Sequence, residues 1–188
     1  MKEITYTDFE SGDISFLADL CNALMSFQAK KAKIKPEVMS AMNFENRLIP
    51  DFQAAKRKYI TVAWDQEKAV GFAFASVSDI DEKSLEEKPV WANDLHGTGF
   101  YPENYEVPQK IGTYKLLYVL PEYRGLHIGG TLSEKIMTWL KSHNDVEDLW
   151  VFVANGNESV GTFYEKIGFT FSHSVFDGFI QAYTEKPR

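Results

Sequence analysis

The spacing of hydrophobic positions changes character several times along the chain. Residues 3–7 (Glu-Ile-Thr-Tyr-Thr) alternate and predict a short first strand. Ile14, Leu17, Leu20, Cys21, Leu24 and Phe27 then recur at helical spacing. Ser11-Gly12-Asp13 offers an N-terminal cap for that helix, and Lys30, Lys31 and Lys33 suit the negative end of its dipole. A second helix is expected to begin around Pro36 and to carry Val38, Met42 and Leu48 until Pro50 interrupts it. Residues 13–57 thus predict two or three helices.

Beyond this the period shortens to two. Tyr59-Ile60-Thr61-Val62-Ala63-Trp64 and Ala69-Val70-Gly71-Phe72-Ala73-Phe74-Ala75 flank Asp65-Gln66-Glu67-Lys68, which reads as a β-hairpin. Residues 79–109 lack a period and contain Pro89, Pro102 and Pro108, so a long irregular insertion is expected there. Ile111 to Leu120 predicts a strand ending in Leu116-Leu117-Tyr118-Val119-Leu120, a run that suits burial on both faces. Glycines then lead into a helix with Leu132, Ile136, Trp139 and Leu140 on one stripe. Leu149–Val153 predicts a buried strand, Asn157–Ile167 a helix, and residues 169–171 and 179–183 closing strands. A strand-helix-strand centre requires a parallel crossover, here flanked by antiparallel pairs. The expected class is α+β in one domain, 1–188, with neither repeat nor linker.

Composition narrows the function classes. The chain has 188 residues, 44% of them hydrophobic and 25% charged, as in an ordinary soluble globule. No apolar run approaches the ~18 residues of a membrane span, and Met1-Lys2-Glu3-Ile4-Thr5 lacks a secretory apolar core. Cys21 is the single cysteine, so neither an internal disulfide nor a cysteine zinc site is expected. His96, His127, His143 and His173 show no metal spacing, and His143 is expected beside a helix C-terminus, where it suits the dipole. A net charge of −7 argues against nucleic acid and mildly favours a small cationic partner. The expected location is the cytoplasm, with no membrane contact and no metal.

The chemistry concentrates at Tyr118-Val119-Leu120-Pro121-Glu122-Tyr123-Arg124-Gly125-Leu126-His127-Ile128-Gly129-Gly130. A buried strand stops at a proline, which cannot donate to a ladder, and a glycine-bearing turn opens onto a helix start. Free N–H groups and the positive dipole end suit an anion such as a pyrophosphate. Glycines before a helix also serve turns that bind nothing. No Lys-Ser/Thr follows the glycines, and G-x-G-x-x-G is absent, so ATP and nicotinamide readings fall.

Arg124-Gly125-Leu126-His127-Ile128-Gly129 resembles the R/Q-x-x-G-x-G/A motif of the GNAT superfamily of N-acetyltransferases. Asn157-Glu158-Ser159-Val160-Gly161-Thr162-Phe163-Tyr164-Glu165-Lys166-Ile167-Gly168-Phe169 is similar to that family's N-x-x-A-x-x-F-Y-x-K-x-G-F segment. The detailed likeness covers about residues 110–171. It implies a central mixed, mostly antiparallel sheet of about 6–7 strands flanked by about four helices. It further implies acetyl-CoA as co-substrate, with its arm beside Tyr118 and Val119 and the Val119 N–H polarising the thioester carbonyl. Arg124, Gly125, Leu126, His127, Ile128, Gly129, Gly130 and Thr131 would hold the pyrophosphate, and Asn157 would touch the cofactor arm. Tyr164 would hand a proton to the leaving thiolate, although helical spacing equally suits a tyrosine that packs. His127 stands where the family carries a glycine, and its imidazole either meets a phosphate or points to solvent.

The resemblance implies direct attack by an amine on the thioester. An alkyl ammonium must lose a proton first. Many relatives carry a glutamate where this chain has Thr113, so the base is not identified. The insertion 79–109 holds eight acids against two lysines. It would steer a small cationic amine, with Trp91, Tyr101 and Tyr105 facing the ammonium, or it is simply a solvated loop. A non-catalytic acyl-CoA-binding or sensing module is the alternative, an interaction domain a third reading, and a homodimer stays open.

Overall fold

The computed structural model describes residues 3–185. Met1, Lys2 and residues 186–188, the ends of the expected domain, lie outside the described residues. Strand β1 (Ile4–Phe9) is followed by helices α1 (Ala18–Lys31), α2 (Pro36–Ser40) and α3 (Ile49–Ala54). Strands β2 (Arg57–Asp65) and β3 (Lys68–Ile80) form the hairpin, closed by the two residues Gln66 and Glu67. Helix α4 (Glu82–Glu86) precedes β4 (Gln109–Val119) and α5 (Ile128–Lys141). Strand β5 (Asp148–Ala154), helix α6 (Gly161–Lys166) and strands β6 (Thr170–Val175) and β7 (Ile180–Glu185) complete the chain. Among the described residues the seven strands lie in the order β1-β2-β3-β4-β5-β7-β6, and only β4 and β5 run parallel. No helix among the described residues is long and apolar enough to cross a membrane.

Alternation sorts the strand side chains onto two faces. Val70, Ala73 and Val119 pack with Leu132, Ile136 and Leu140 of α5. Ile60, Val62, Phe72, Phe74, Leu116 and Tyr118 pack with Leu20 and Leu24 of α1 and with Leu48 and Phe52. A third cluster lies under the insertion, where Trp91, Phe100 and Tyr101 meet Trp150, Phe176 and Phe179.

Several local expectations change. The chain breaks before Pro50, at Asn43, whose side chain accepts from Glu45 and Asn46 while Asn46 reaches back to the Asn43 N–H. That capping box restarts a helical turn at Phe44–Leu48. Pro50 falls in the first turn of α3, where its missing N–H costs nothing. The insertion is only partly irregular: β3 runs through its first residues, and Asp81 and Ser84 cap each other to start α4. His143 lies beyond α5, edge-on to Trp139, with Nδ1 3.4 Å from an Arg57 guanidinium nitrogen. Burial and then the Arg57 charge hold its pKa below the ordinary value, so it serves as a neutral ring rather than a cation for the dipole.

Candidate active site

The site begins with one extra residue in β4. Leu116 pairs with Phe74 and Tyr114 with Ala75, which leaves Lys115 bulged out of the ladder. The bulge reverses the alternation, so Tyr114 and Leu116, two residues apart, face opposite sides of the sheet. Pairing with β5 also ends here, at Tyr114 and Val151. Beyond that point β4 stays with β3 while β5 stays with β7 as far as Ala154. The parallel pair therefore splays into a wedge.

Backbone parity determines what lines this wedge. Leu120 N–H donates to Val70 O at 2.9 Å, on the β3 side. Alternate residues of an antiparallel pair turn their polar groups to alternate sides. The Val119 amide, opposite Gly71, is thus directed away from β3 and into the gap. Its carbonyl accepts from Arg124 Nε at 3.1 Å. The gap opens into a cavity of about 450 Å³ bounded by α1, β4, β5, the start of α5 and α6.

The turn after β4 forms the cavity's far wall. Gly125 (φ +80°) and His127 (φ +62°) are both left-handed, a sequence that turns successive amides to one side. Helix α5 starts immediately afterwards, and its first internal bond runs from Thr131 N–H to His127 O. The amides of Ile128, Gly129 and Gly130 therefore have no intrahelical acceptor, and His127 supplies no side-chain cap. A histidine in this left-handed conformation carries a backbone cost of about 1 kcal/mol. The His127 ring lies against Gly130, where a Cβ would meet Nε2 at 3.1 Å.

Tyr118, Val119, Arg124, Gly125, His127, Ile128, Gly129, Asn157 and Tyr164 all line the cavity, whereas Leu126, Gly130 and Thr131 do not. Leu126 is exposed. Arg124 turns back from the turn's amides, over the rings of Phe27 and Tyr118. Tyr164 is buried beside Tyr114, and burial raises its pKa, so it stays a phenol across neutral pH. Asn157 does not cap with its side chain, and its Oδ1 lies 3.4 Å from Lys31 Nζ.

The α1 contribution is absent from the sequence reading. Leu24, Phe27 and Gln28 wall the cavity. The end of α1 is held by buried Asn155, which accepts from the Lys33 and Ile34 amides at 2.7 and 2.8 Å and donates to Ile34 O and Phe179 O. Gly156 (φ +78°) lets Lys31 O approach so closely that a Cβ would stand 1.8 Å away.

A second cavity, of about 240 Å³, adjoins the first across shared walls at Gln28, Lys115, Leu116, Phe152 and Ala154. Trp91 and Tyr101 line it, but Tyr105 does not. The Tyr105 hydroxyl donates to Asp148 at 2.8 Å, and its ring stacks on Tyr101, a supporting role. None of the eight acids of the insertion lines this cavity. Its charges are instead Arg47, Asp51 and the bulged Lys115. Arg47 Nη1 and Lys115 Nζ both meet Asp51 Oδ2, at 2.6 and 3.4 Å. Burial alone would raise the Asp51 pKa, but the Lys115 and Arg47 charges outweigh it and the carboxyl titrates below its usual range. Burial lowers Lys115, with Asp51 opposing.

The acetyltransferase (GNAT) family model matches residues 27–169. Among solved structures, PaiA N-acetyltransferase from Thermoplasma acidophilum, in complex with coenzyme A, superposes with a TM-score of 0.63 at 15% identity over 98% of this chain and 99% of that one. The smu.2055 protein of Streptococcus mutans gives 0.60 at 18% identity over 98% and 99%. NAA60 of Arabidopsis thaliana, in complex with acetyl-CoA, gives 0.57 at 11% identity over 97% and 96%. At such identities these likenesses establish the fold: a seven-stranded, mostly antiparallel sheet with flanking helices. Comparison with curated proteins yields no match.

Proposed function

Because this chain belongs to the acetyltransferase (GNAT) family, we propose that it moves the acetyl group of acetyl-CoA to a primary amine by direct attack. The observation that carries this reading is the wedge between β4 and β5. It presents an unpaired strand edge at one end and uncapped helix amides at the other, with a cavity between them. The amides of Gly125 through Gly129 suit a pyrophosphate, and the Val119 N–H suits the thioester oxygen.

The residues then divide the work. The amine nitrogen approaches from the second cavity and bonds the acetyl carbon. The carbon–sulfur bond breaks, the sulfur takes the electron pair, and the nitrogen gives up its proton to water. Val119 N–H would hold the oxygen as negative charge develops there. Tyr164 O–H, kept protonated by burial, would donate to the departing sulfur. Asn157, on the cavity wall, would brace the cofactor arm. Preference for a small cationic amine rests on the insertion's acids, none of which lines the second cavity.

The test offers acetyl-CoA with a panel of amines and measures thiol release together with thermal unfolding. Acetyl-CoA should raise the unfolding temperature, and at least one amine class should release thiol. Stabilisation without thiol release for any amine points to the non-catalytic acyl-CoA module. The absence of stabilisation removes the acetyl-CoA site itself.

A further inference from the structure

The second cavity has an apolar body and a charged end. Met42, Trp91, Phe100, Tyr101 and Phe179 supply the apolar walls. Arg47, Asp51 and Lys115 supply the charge, and each side chain is only about a quarter to a third exposed, at 25, 30 and 26%. The three do not balance: two cations share one carboxylate oxygen and leave a single positive charge in excess. Asp51 engages Nη1 of a guanidinium that carries five donors in a planar fork. A planar fork beside an ammonium suits a carboxylate. An acceptor with a second ammonium would instead add a third positive charge to the cavity.

Resting on the acetyl transfer proposed above, we infer that the acceptor is an apolar or aromatic amine bearing a carboxylate, which Arg47 and Lys115 bind while the aromatic walls hold its body. The bound carboxylate offsets that excess, so the charges balance once the acceptor is in place. The assignment also explains the position of Lys115: standing just before the apolar run Leu116-Leu117-Tyr118-Val119, it reaches this cavity because the bulge carries it out of the ladder.

Matched acceptors that differ only by the carboxylate test the inference. Phenylalanine is compared with phenethylamine and tryptophan with tryptamine, with spermidine as the polycation, by thiol release at saturating acetyl-CoA. The acid of each pair should show a kcat/KM at least about tenfold above its decarboxylated partner. Arg47→Gln and Lys115→Met should each raise KM for the acids and bring the ratio towards one. Stabilisation by acetyl-CoA should persist in both variants and shows that the fold survives. Asp51→Asn removes the opposing charge and should increase the preference for acids. Faster turnover of the amines or of spermidine overturns the inference, as does a preference unchanged in Arg47→Gln or a panel in which no acid is acetylated. Failure of acetyl-CoA to stabilise the wild-type protein would overturn the underlying acetyl-transfer reading, a result distinct from any of these.

Discussion

Val119→Pro isolates one hydrogen atom. The Val119 amide is directed into the gap between β4 and β5, on the side away from β3, while its neighbour Leu120 makes the ladder bond to Val70 O. Proline at 119 therefore deletes a donor that the fold does not use, and the extended strand residue before it already has the conformation that a following proline requires. The structural cost is the difference between two similar-sized side chains at a nearly buried position, about 1 kcal/mol. In a chain of this size that lowers the unfolding temperature by roughly 2–4 °C. The chemical cost is far larger. Loss of one preorganised oxyanion donor reduces kcat by about 10²–10³-fold. Val119→Ala, which keeps the amide and loses the side chain, provides the reference. Thiol release at saturating acetyl-CoA gives kcat for both variants, and thermal unfolding gives the structural cost. Turnover by Val119→Pro within about threefold of Val119→Ala would refute the assignment of the amide to the thioester oxygen. Unfolding well beyond the few degrees allowed would show that the strand resists the fixed φ of proline or that the amide is used in the ladder.

Three further expectations follow from other parts of the molecule. Tyr164→Phe keeps the ring's packing against Tyr114 and Phe169 but removes the proton donor. It should lower kcat by about 10²-fold with acetyl-CoA affinity unchanged, and unchanged turnover with chemistry rate-limiting removes the role. Gly156→Ala combines a left-handed backbone with a Cβ that collides with Lys31 O, and should destabilise by more than about 2 kcal/mol in thermal unfolding. Burial and Arg57 depress the His143 pKa, so the unfolded chain takes up that proton first as pH falls through about 6.5. The stability present above that pH is lost below it. Between pH 8 and 5 the wild-type unfolding temperature should fall further than that of His143→Gln, and parallel curves would refute the assignment.

The legible parts of this protein are those written in local pattern. The hairpin around Gln66 and Glu67, the two long helices and the glycine-bearing turn before α5 each follow from period and turn chemistry within a short window. The wedge follows from motif likeness in its position but not in its cause. A bulge at Lys115 is a miscount between β3 and β4, strands separated by the insertion, and neither sequence alone shows it. The charged end of the second cavity was hidden for the same reason. Arg47 and Asp51, four residues apart, look like an ordinary helix ion pair, and Lys115 joins them only through the fold. The acids of the insertion were visible and numerous. None of them lines the pocket, and three are engaged elsewhere, Asp79 with Lys110, Asp81 with Ser84 and Glu87 with Lys83, so their number said little about it. Asn155 carried no sequence signal, because its four bonds all run to residues at least 24 positions away.

The unpaired residue in β4 is one more than the pleat needs. Trimming the residue at position 115 would make Tyr114 and Leu116 consecutive partners of Ala75 and Phe74, and would leave Leu116 through Val119 facing the layers they face now. A substitution there changes a single side chain, whereas a one-codon deletion would straighten the strand and withdraw that side chain from both cavities.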